Sequence, residues 1–472
     1  MRCNWYRIDY FGAVPIARRT LLVALSGVTA FVVTVVALAP FVNSQSTSIS
    51  TGDRFWSIST IGAGVLAVVA VGTAAMMARC RLRTAAMTVF GGLLLELPGL
   101  YDHNFEALSP VGAGVAVGAV TVAAAPRVRA ASVAGTIVAV HVSDSLLDED
   151  AIPRRYADYI ADNTNQFQPP VLGATLLALA LAAACVAAFW FHDFDKDHPK
   201  ERMAVRPVTI AAVLTLFGVA ANWWFEITTV TAAVPLLLVA LVITVICARV
   251  LGDGGRILLM CTAAVATLAA VSANRPATEA MEWSKTPAST AVVIGVVIVA
   301  AAAIGAIAPS RVVGYGLLLT VTVAGIVSYA TSPSPKIGDV LTISDLLVAF
   351  TSAVVTYAIA SAMYREPPRT GASRALVGLG VIFGPTALAL LVYPQFDYGW
   401  TAYTPLDENK PFNGITTVGP FEISTDILIL DAAALIMVAV CAYASLRLGR
   451  VNRSGPPPIS RSDPSTPGDG TL

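Results

Sequence analysis

Four carboxylates stand out because each lies within an apolar stretch of the chain that contains no Lys or Arg. They are Glu96, Asp345, Asp426 and Asp431. A charged side chain at the centre of a bilayer costs about 3 kcal/mol or more, so an ionisable residue there is a candidate functional residue. Such a carboxyl group can be protonated, hydrogen-bonded to Ser or Thr, or exposed to a water-filled cavity. Each of these states suits proton coupling or cation binding, so these four residues are our transport or proton-coupling candidates.

Two of the four carboxylates also have a purely structural interpretation. Asp345 and Asp426 begin the apolar stretches that contain them, and a carboxylate at a helix N-terminus is stabilised by the helix dipole. Glu96 and Asp431 lie inside their stretches, and Asp431 is five residues beyond Asp426, about 7.5 Å along a helix. We therefore expect Glu96→Gln or Asp431→Asn to abolish function while the protein stays in the membrane.

The elements that carry these residues are predicted to be membrane-spanning helices. The chain has 472 residues, of which 56% are hydrophobic and 13% are charged, and its mean hydropathy is +0.72. About 20 apolar residues span the roughly 30 Å hydrocarbon core as a helix. Fourteen such stretches occur, at 21–43, 57–78, 84–100, 108–125, 130–142, 171–192, 207–225, 231–249, 257–273, 290–309, 312–330, 345–364, 375–393 and 426–446. The predicted fold is all-α, a polytopic transmembrane helical bundle of about 14 helices.

The distribution of charge predicts how these helices are oriented. With the N-terminus on the cytoplasmic side, 23 of the 30 Lys and Arg residues fall in cytoplasmic segments and 7 in outer segments. This is the bias of the positive-inside rule, and removing any one span would spoil it. Both termini are therefore predicted to be cytoplasmic. The formal net charge of +0 then divides into +14 inside, −10 outside and −4 in the spans. The negative electrostatic field of the outer segments would attract cations, although ordinary solvation of loops also explains acidic residues there.

The order of spans and connections suggests the domain organisation. A cytoplasmic N-terminal segment (1–20) precedes a six-helix bundle (21–192), a cytoplasmic linker (193–206) and an eight-helix bundle (207–446). The second bundle can also be divided into six plus two helices, and a seven-plus-seven inverted repeat is the competing division. The tail, 447–472, is rich in Pro, Ser and Gly and is predicted to be disordered and cytoplasmic.

Aromatic and acidic residues meet at the predicted outer boundary. Our candidates for binding through the outer loops are Trp223, Trp224, Glu226, Asp397 and Trp400. Trp and Tyr are enriched at membrane–water interfaces, which is one explanation of this pattern. The same composition also suits contact with a sugar, a lipid head group or a protein partner.

Sequence signals for familiar chemistry are absent. The chain has no phosphate-binding Gly-Lys-Ser/Thr, no His-Glu-x-x-His and no nucleophile elbow. Its six cysteines match no metal motif. We therefore expect no catalytic residue, metal site or cofactor, and the zero net charge argues against nucleic acid. The expected partners are the lipid bilayer and an unidentified small-molecule or lipid solute, with an envelope protein bound to the outer loops as a further option.

The layout resembles that of the major facilitator transporters, whose twelve to fourteen helices have both ends inside. Their marker loop between the second and third helices is similar to Gly72 followed by Arg79, Arg81 and Arg83, and the stretch 248–256 is similar to its second copy. The first stretch lacks the Asp and the second Gly of that marker. The charged residues that the family places in its first and fourth helices are missing as well. The resemblance implies a transporter fold and leaves the coupling residues undefined.

Three functional classes follow from these observations. The first is a secondary transporter or exporter of a small or amphiphilic solute, coupled to protons through the carboxylates. The alternative is a non-transporting membrane protein that assembles or anchors components of the cell envelope. The third is an envelope glycosyl or lipid transferase. Such enzymes would be expected to carry a pair of acidic residues in the first outer loop, where this chain has only Asp53. High Ala, Val and Arg content, with Arg well above Lys, suggests a bacterial source with a GC-rich genome. The expected location is therefore the plasma membrane of a bacterium.

Overall fold

The computed structural model describes residues 27–34, 58–77, 91, 108–123, 131–136, 139, 205–227, 230–273, 288–330, 336–337, 341–364, 373–380 and 425–451. These residues are almost wholly helical. The helices are α1 (Ile58–Met77), α2 (Leu108–Ala123), α3 (Val205–Ile227), α4 (Val230–Leu251), α5 (Gly255–Ala273), α6 (Ala288–Ile307), α7 (Arg311–Ala330), α8 (Ile343–Tyr364) and α9 (Thr425–Val451). Residues 27–34, 131–136 and 373–380 are helical as well.

Eight of these helices have both ends within two residues of a predicted span. The reason is local, because long uncharged runs hold few residues that break a helix. Pro110 and Pro207 each occupy the third position of their helix, where no intrahelical N–H bond is lost. The spans predicted at 84–100 and 171–192 lie outside the described residues, apart from residue 91.

Helix α5 is the centre of the described bundle. It packs against α4, α7, α8 and α9, and every side chain from Ile257 to Leu268 is buried. Helix α8 is buried in a similar way from Thr351 to Met363, where only Tyr357 is partly exposed, and it packs against α5, α6 and α7. Helices that are apolar on all sides are expected at such positions.

Helices α1, α2 and α3 form a second packed group, in which α1 contacts both α2 and α3. A carbon atom added at Gly114 would lie 2.7 Å from the carbonyl oxygen of Leu66, and one at Gly118 would lie 2.5 Å from that of Ala70. These glycines therefore bring the α1 and α2 backbones into contact, as expected of a small-xxx-small pair.

The outside of the bundle is covered with large aliphatic side chains. Those that are more than half exposed include Leu216, Leu238, Val242, Ile246, Val296, Ile304, Val312 and Ile436. Within the described residues, the stretches Val234–Leu251 and Asp431–Leu448 are long and apolar enough to cross a membrane, and seven shorter apolar stretches accompany them. Hydrocarbon is the solvent that suits such a surface, because in water it would expose a large contiguous apolar area.

Two details depart from the predicted architecture. Lys336–Ile337 (β1) and Leu341–Thr342 (β2) form a short antiparallel pair with Lys336 opposite Thr342, which adds a small hairpin to the predicted all-α fold. Gly338 and Asp339 lie between the strands in sequence, and both residue types favour turns. Helix α9 also continues to Val451, so its last turn occupies the start of the predicted disordered tail.

Candidate functional site

Asp431 lies on the side of α9 that packs into the bundle. The buried positions of this helix follow one stripe, formed by Asp431, Ala434, Met437, Val438, Cys441 and Ser445. Asp431 is only 1% exposed, whereas Ala432 and Ile436 on the opposite side are exposed. The sequence left open which way this carboxyl group faces, and the structure places it towards the neighbouring helices.

The stripe that holds Asp431 is covered chiefly by α5, with α7 and α4 beside it. Tyr315 of α7 lies next to Ser445 of α9, so the two helices can be aligned residue by residue. Seven residues beyond Tyr315, the hydroxyl of Thr322 donates a hydrogen bond of 3.0 Å to the hydroxyl of Thr267 in α5. This buried hydroxyl pair is thus about 10 Å from the level of Asp431, measured along the bundle.

The hydroxyl pair was not singled out by sequence reasoning. Thr267 also donates to the carbonyl of Ala263 at 3.0 Å, and the hydroxyl of Thr322 lies 2.9 Å from the carbonyl of Leu318. Threonines in apolar helices commonly satisfy their hydroxyl group in this local way. Since many Thr residues of the chain do so, no sequence signal distinguishes the two that also join neighbouring helices.

Two of the other predicted carboxylates lie at the start of a helix. Asp345 is the third residue of α8 and Asp426 is the second residue of α9, so both lie in a first helical turn. This is the position at which the helix dipole stabilises a carboxylate. Glu96 lies outside the described residues.

The aromatic candidates divide between described and undescribed parts of the chain. Trp223, Trp224 and Glu226 belong to the last turn and a half of α3. Asp397 and Trp400 lie outside the described residues, so the structure does not test whether the five residues meet. Among the described residues, no group of three or more His, Cys, Asp and Glu is placed to hold a metal ion.

The opposite end of the bundle is assembled around arginines. The guanidinium of Arg256, at the start of α5, donates a hydrogen bond of 3.0 Å to the carbonyl oxygen of Leu448 near the end of α9. The last carbonyls of a helix have no partner within it, so this contact caps α9. Arg374 lies beside Gly254, and Tyr357 of α8 donates to the carbonyl of Ala308 before α7 at 3.2 Å.

A tight turn between α4 and α5 positions Arg256. Gly252–Gly254 forms one 3₁₀ turn, in which Gly252 has a φ of 68°, a conformation that favours glycine. Gly255 packs directly on the carbonyl of Ala248, which leaves no room for a side chain. The stretch 248–256, whose sequence resembles a transporter loop, is therefore a compact helix connection.

These contacts place Arg249, Arg256, Arg374 and Arg447 at one end of the helices. Arg311 lies at the same end, because it is near Tyr315, which lies beside Ser445 of α9. Asp345, Asp426 and Asp431 lie towards the other end, and Asp431 is 17 residues before Leu448, about 25 Å along α9. The described part of the chain is thus a helical bundle with an apolar surface, a basic end and a buried carboxyl group towards the opposite end.

Comparisons with known proteins give no family. No family model and no curated protein matches the sequence. Among solved structures, the chain is similar to that of the human organic anion transporter MFSD10 (TETRAN), with 14% sequence identity and a TM-score of 0.44 over 92% of this chain and 98% of that one. Any functional assignment therefore depends on the residues and contacts given above.

Proposed function

We propose that this chain is a secondary transporter or exporter of a small or amphiphilic solute, with Asp431 as its proton-coupling residue. The proposal includes fourteen spans, both termini in the cytoplasm, and a location in the plasma membrane of a bacterium. The basic end of the bundle would face the cytoplasm, as the positive-inside rule requires. Asp431 would then lie in the half of the membrane nearer the outside.

The observation that carries the proposal is the burial of Asp431 on the helix-packing side of α9. A carboxyl group that served only solubility or a helix terminus would lie in a loop or a first turn, as Asp345 and Asp426 do. Ionisable residues kept within a membrane bundle usually face its interior and mark ion or substrate pathways. Its position therefore favours proton coupling over a purely structural role.

The burial of Asp431 also suggests how coupling would operate. At 1% exposure, its carboxyl group is shielded from both sides in this conformation. Proton exchange then requires a second conformation in which α9 separates from α5 or α7 near Asp431. A proton that neutralises the carboxylate would lower the cost of burying it again between the helices, so proton binding and closure would favour each other.

Transport by the purified protein tests this proposal. The full chain would be reconstituted in vesicles with a panel of fluorescent lipophilic cations and organic anions, with and without an imposed pH gradient. We expect gradient-driven flux of at least one class, and loss of that flux in Asp431→Asn. Asp426→Asn is the matched control, because it removes the same charge from the same helix, and it should keep most of the activity.

Two results would overturn the proposal. The first is a panel in which no solute moves faster than in protein-free vesicles, which would favour an envelope assembly or scaffold role. The second is gradient-driven flux that Asp431→Asn leaves unchanged, which would leave a transporter without the proposed coupling residue.

A further inference from the structure

Two neighbouring helices each carry a stripe of exposed apolar side chains that ends in an exposed arginine. On α4, Leu238, Val242 and Ile246 are exposed at helical spacing, and Arg249 continues the same stripe. On α9, exposed Ile436 and Tyr443 belong to a stripe that reaches Arg447. Each stripe therefore presents hydrocarbon along the helix and a guanidinium at its end.

The two stripes end at the same level of the bundle. Helices α4 and α9 pack against each other and against α5. Ala248 contacts Gly255, and the next residue, Arg256, donates to the carbonyl of Leu448. Through these contacts Arg249 and Arg447 are both held within about one helical turn of the turn that joins α4 to α5.

Arg447 is oriented by an aromatic side chain. Its guanidinium carbon lies 5.3 Å from the centre of the Tyr443 ring, which is within the range of a cation–π contact. Tyr443 is 58% exposed, so the pair faces outwards rather than into the bundle. Tyr together with Arg at the end of an apolar helix is the composition that anchors a helix at a membrane surface.

We infer that this basic rim, formed by Arg249, Tyr443 and Arg447, binds the phosphate of an anionic phospholipid whose acyl chains lie along the exposed stripes. Charge complementarity favours this occupant, because two guanidinium groups meet a surface that is otherwise aliphatic. A soluble anion would use the arginines but leave the stripes uncovered. A zwitterionic lipid would cover the stripes but bring its own cation to the rim.

Lipid binding to the purified full chain tests the inference independently of transport. Detergent-solubilised protein would be titrated with diheptanoyl phosphatidylglycerol, and bound lipid would be counted by native mass spectrometry. Diheptanoyl phosphatidylcholine and inorganic phosphate are the comparison ligands. We expect phosphatidylglycerol to bind more tightly than phosphatidylcholine, and millimolar phosphate to displace neither.

The variants assign the binding to the rim. An arginine near an anionic lipid surface contributes enough to change affinity about fivefold. Arg249→Gln and Arg447→Gln should each weaken phosphatidylglycerol binding by about that factor, and Tyr443→Leu, which keeps an apolar side chain, should weaken it less. Lys336→Gln, which removes a cation from β1 at the opposite end, should have no effect.

Unchanged phosphatidylglycerol binding in the Arg249→Gln/Arg447→Gln double variant would overturn the inference. Equal binding of the two lipids would overturn it as well, since it would show that the stripes bind lipid without the rim. Displacement by inorganic phosphate would identify a simple anion site instead.

Discussion

The two ends of the described bundle are built in different ways. At the basic end, Arg256 reaches from α5 to the carbonyl of Leu448 in α9, and the tight turn at Gly255 holds it there. Towards the other end, Asp345 and Asp426 lie in first helical turns, and Asp431 is buried against neighbouring helices. One end is thus tied by a hydrogen bond between two residues 192 positions apart in sequence, and the other holds a buried carboxyl group.

This difference suggests which end moves. A hydrogen bond to a charged donor contributes about 1.5–3 kcal/mol, so separating α5 from α9 at the basic end is costly. At the level of Asp431 the cost of separation depends on the charge of one carboxyl group, which a proton can change. We therefore expect α5 and α9 to remain joined at the basic end, while the contact of α9 near Asp431 opens and closes.

Among the changes at the basic end, a side chain added at Gly255 is expected to lower the stability of the protein most. Gly255→Val places a branched side chain against the carbonyl of Ala248, which forces the α4–α5 turn apart and moves Arg256. We expect a loss of about 3 kcal/mol of stability, read as a lower unfolding midpoint in detergent. Gly316→Val on α7, where the added atom meets open space, is the control and should unfold near the wild-type midpoint.

Removing only the cap should have an intermediate effect. Arg256→Gln is expected to cost about 2 kcal/mol, because Gln is too short to reach the Leu448 carbonyl and carries no charge. The unfolding midpoint and the hydrogen exchange of the last turn of α9 would measure it. Arg206→Gln removes an exposed arginine of α3 and should change the midpoint little. Equal effects of the two substitutions would show that the cap contributes nothing specific.

The smallest expected effect concerns the hydroxyl pair between the two ends. Thr322→Val removes the donor to Thr267 at nearly constant volume, and such bonds in membrane bundles contribute about 0.6 kcal/mol. The exposed Thr320, which bonds only within its own helix in the described contacts, provides the control Thr320→Val. If Thr322→Val shifts the unfolding midpoint no more than Thr320→Val does, the hydroxyl pair does not stabilise the contact between α5 and α7.

The positions of the helices could be predicted from sequence because the determining features are local. Uncharged runs such as 57–78 predicted α1 at Ile58–Met77, and the positive-inside rule predicted that residues as distant as Arg256 and Arg447 share one end. The continuation of α9 to Val451 was not predicted. Its last turn contains Gly449 and Arg450 beyond the apolar stretch, and the contact that caps it comes from Arg256, far away in sequence.

The orientation of Asp431 could not be predicted for a related reason. Helix α9 is apolar around most of its circumference, so its sequence has little periodicity to indicate which side is buried. The packing of α5 and α7 decides that side, and this packing is a tertiary property. The contact between Thr267 and Thr322 could not be predicted either, because their separation in sequence does not indicate that their hydroxyl groups are hydrogen-bonded.

Proton coupling by Asp431 can be tested separately from the transport step itself. A solute that the wild-type protein moves would be followed in two assays in the same vesicles: uphill accumulation driven by a pH gradient, and exchange of labelled for unlabelled solute with no gradient. If Asp431 couples protons to transport, Asp431→Asn will abolish accumulation and retain exchange. Loss of both activities, or retention of both, would contradict the assignment of Asp431 as the proton-coupling residue.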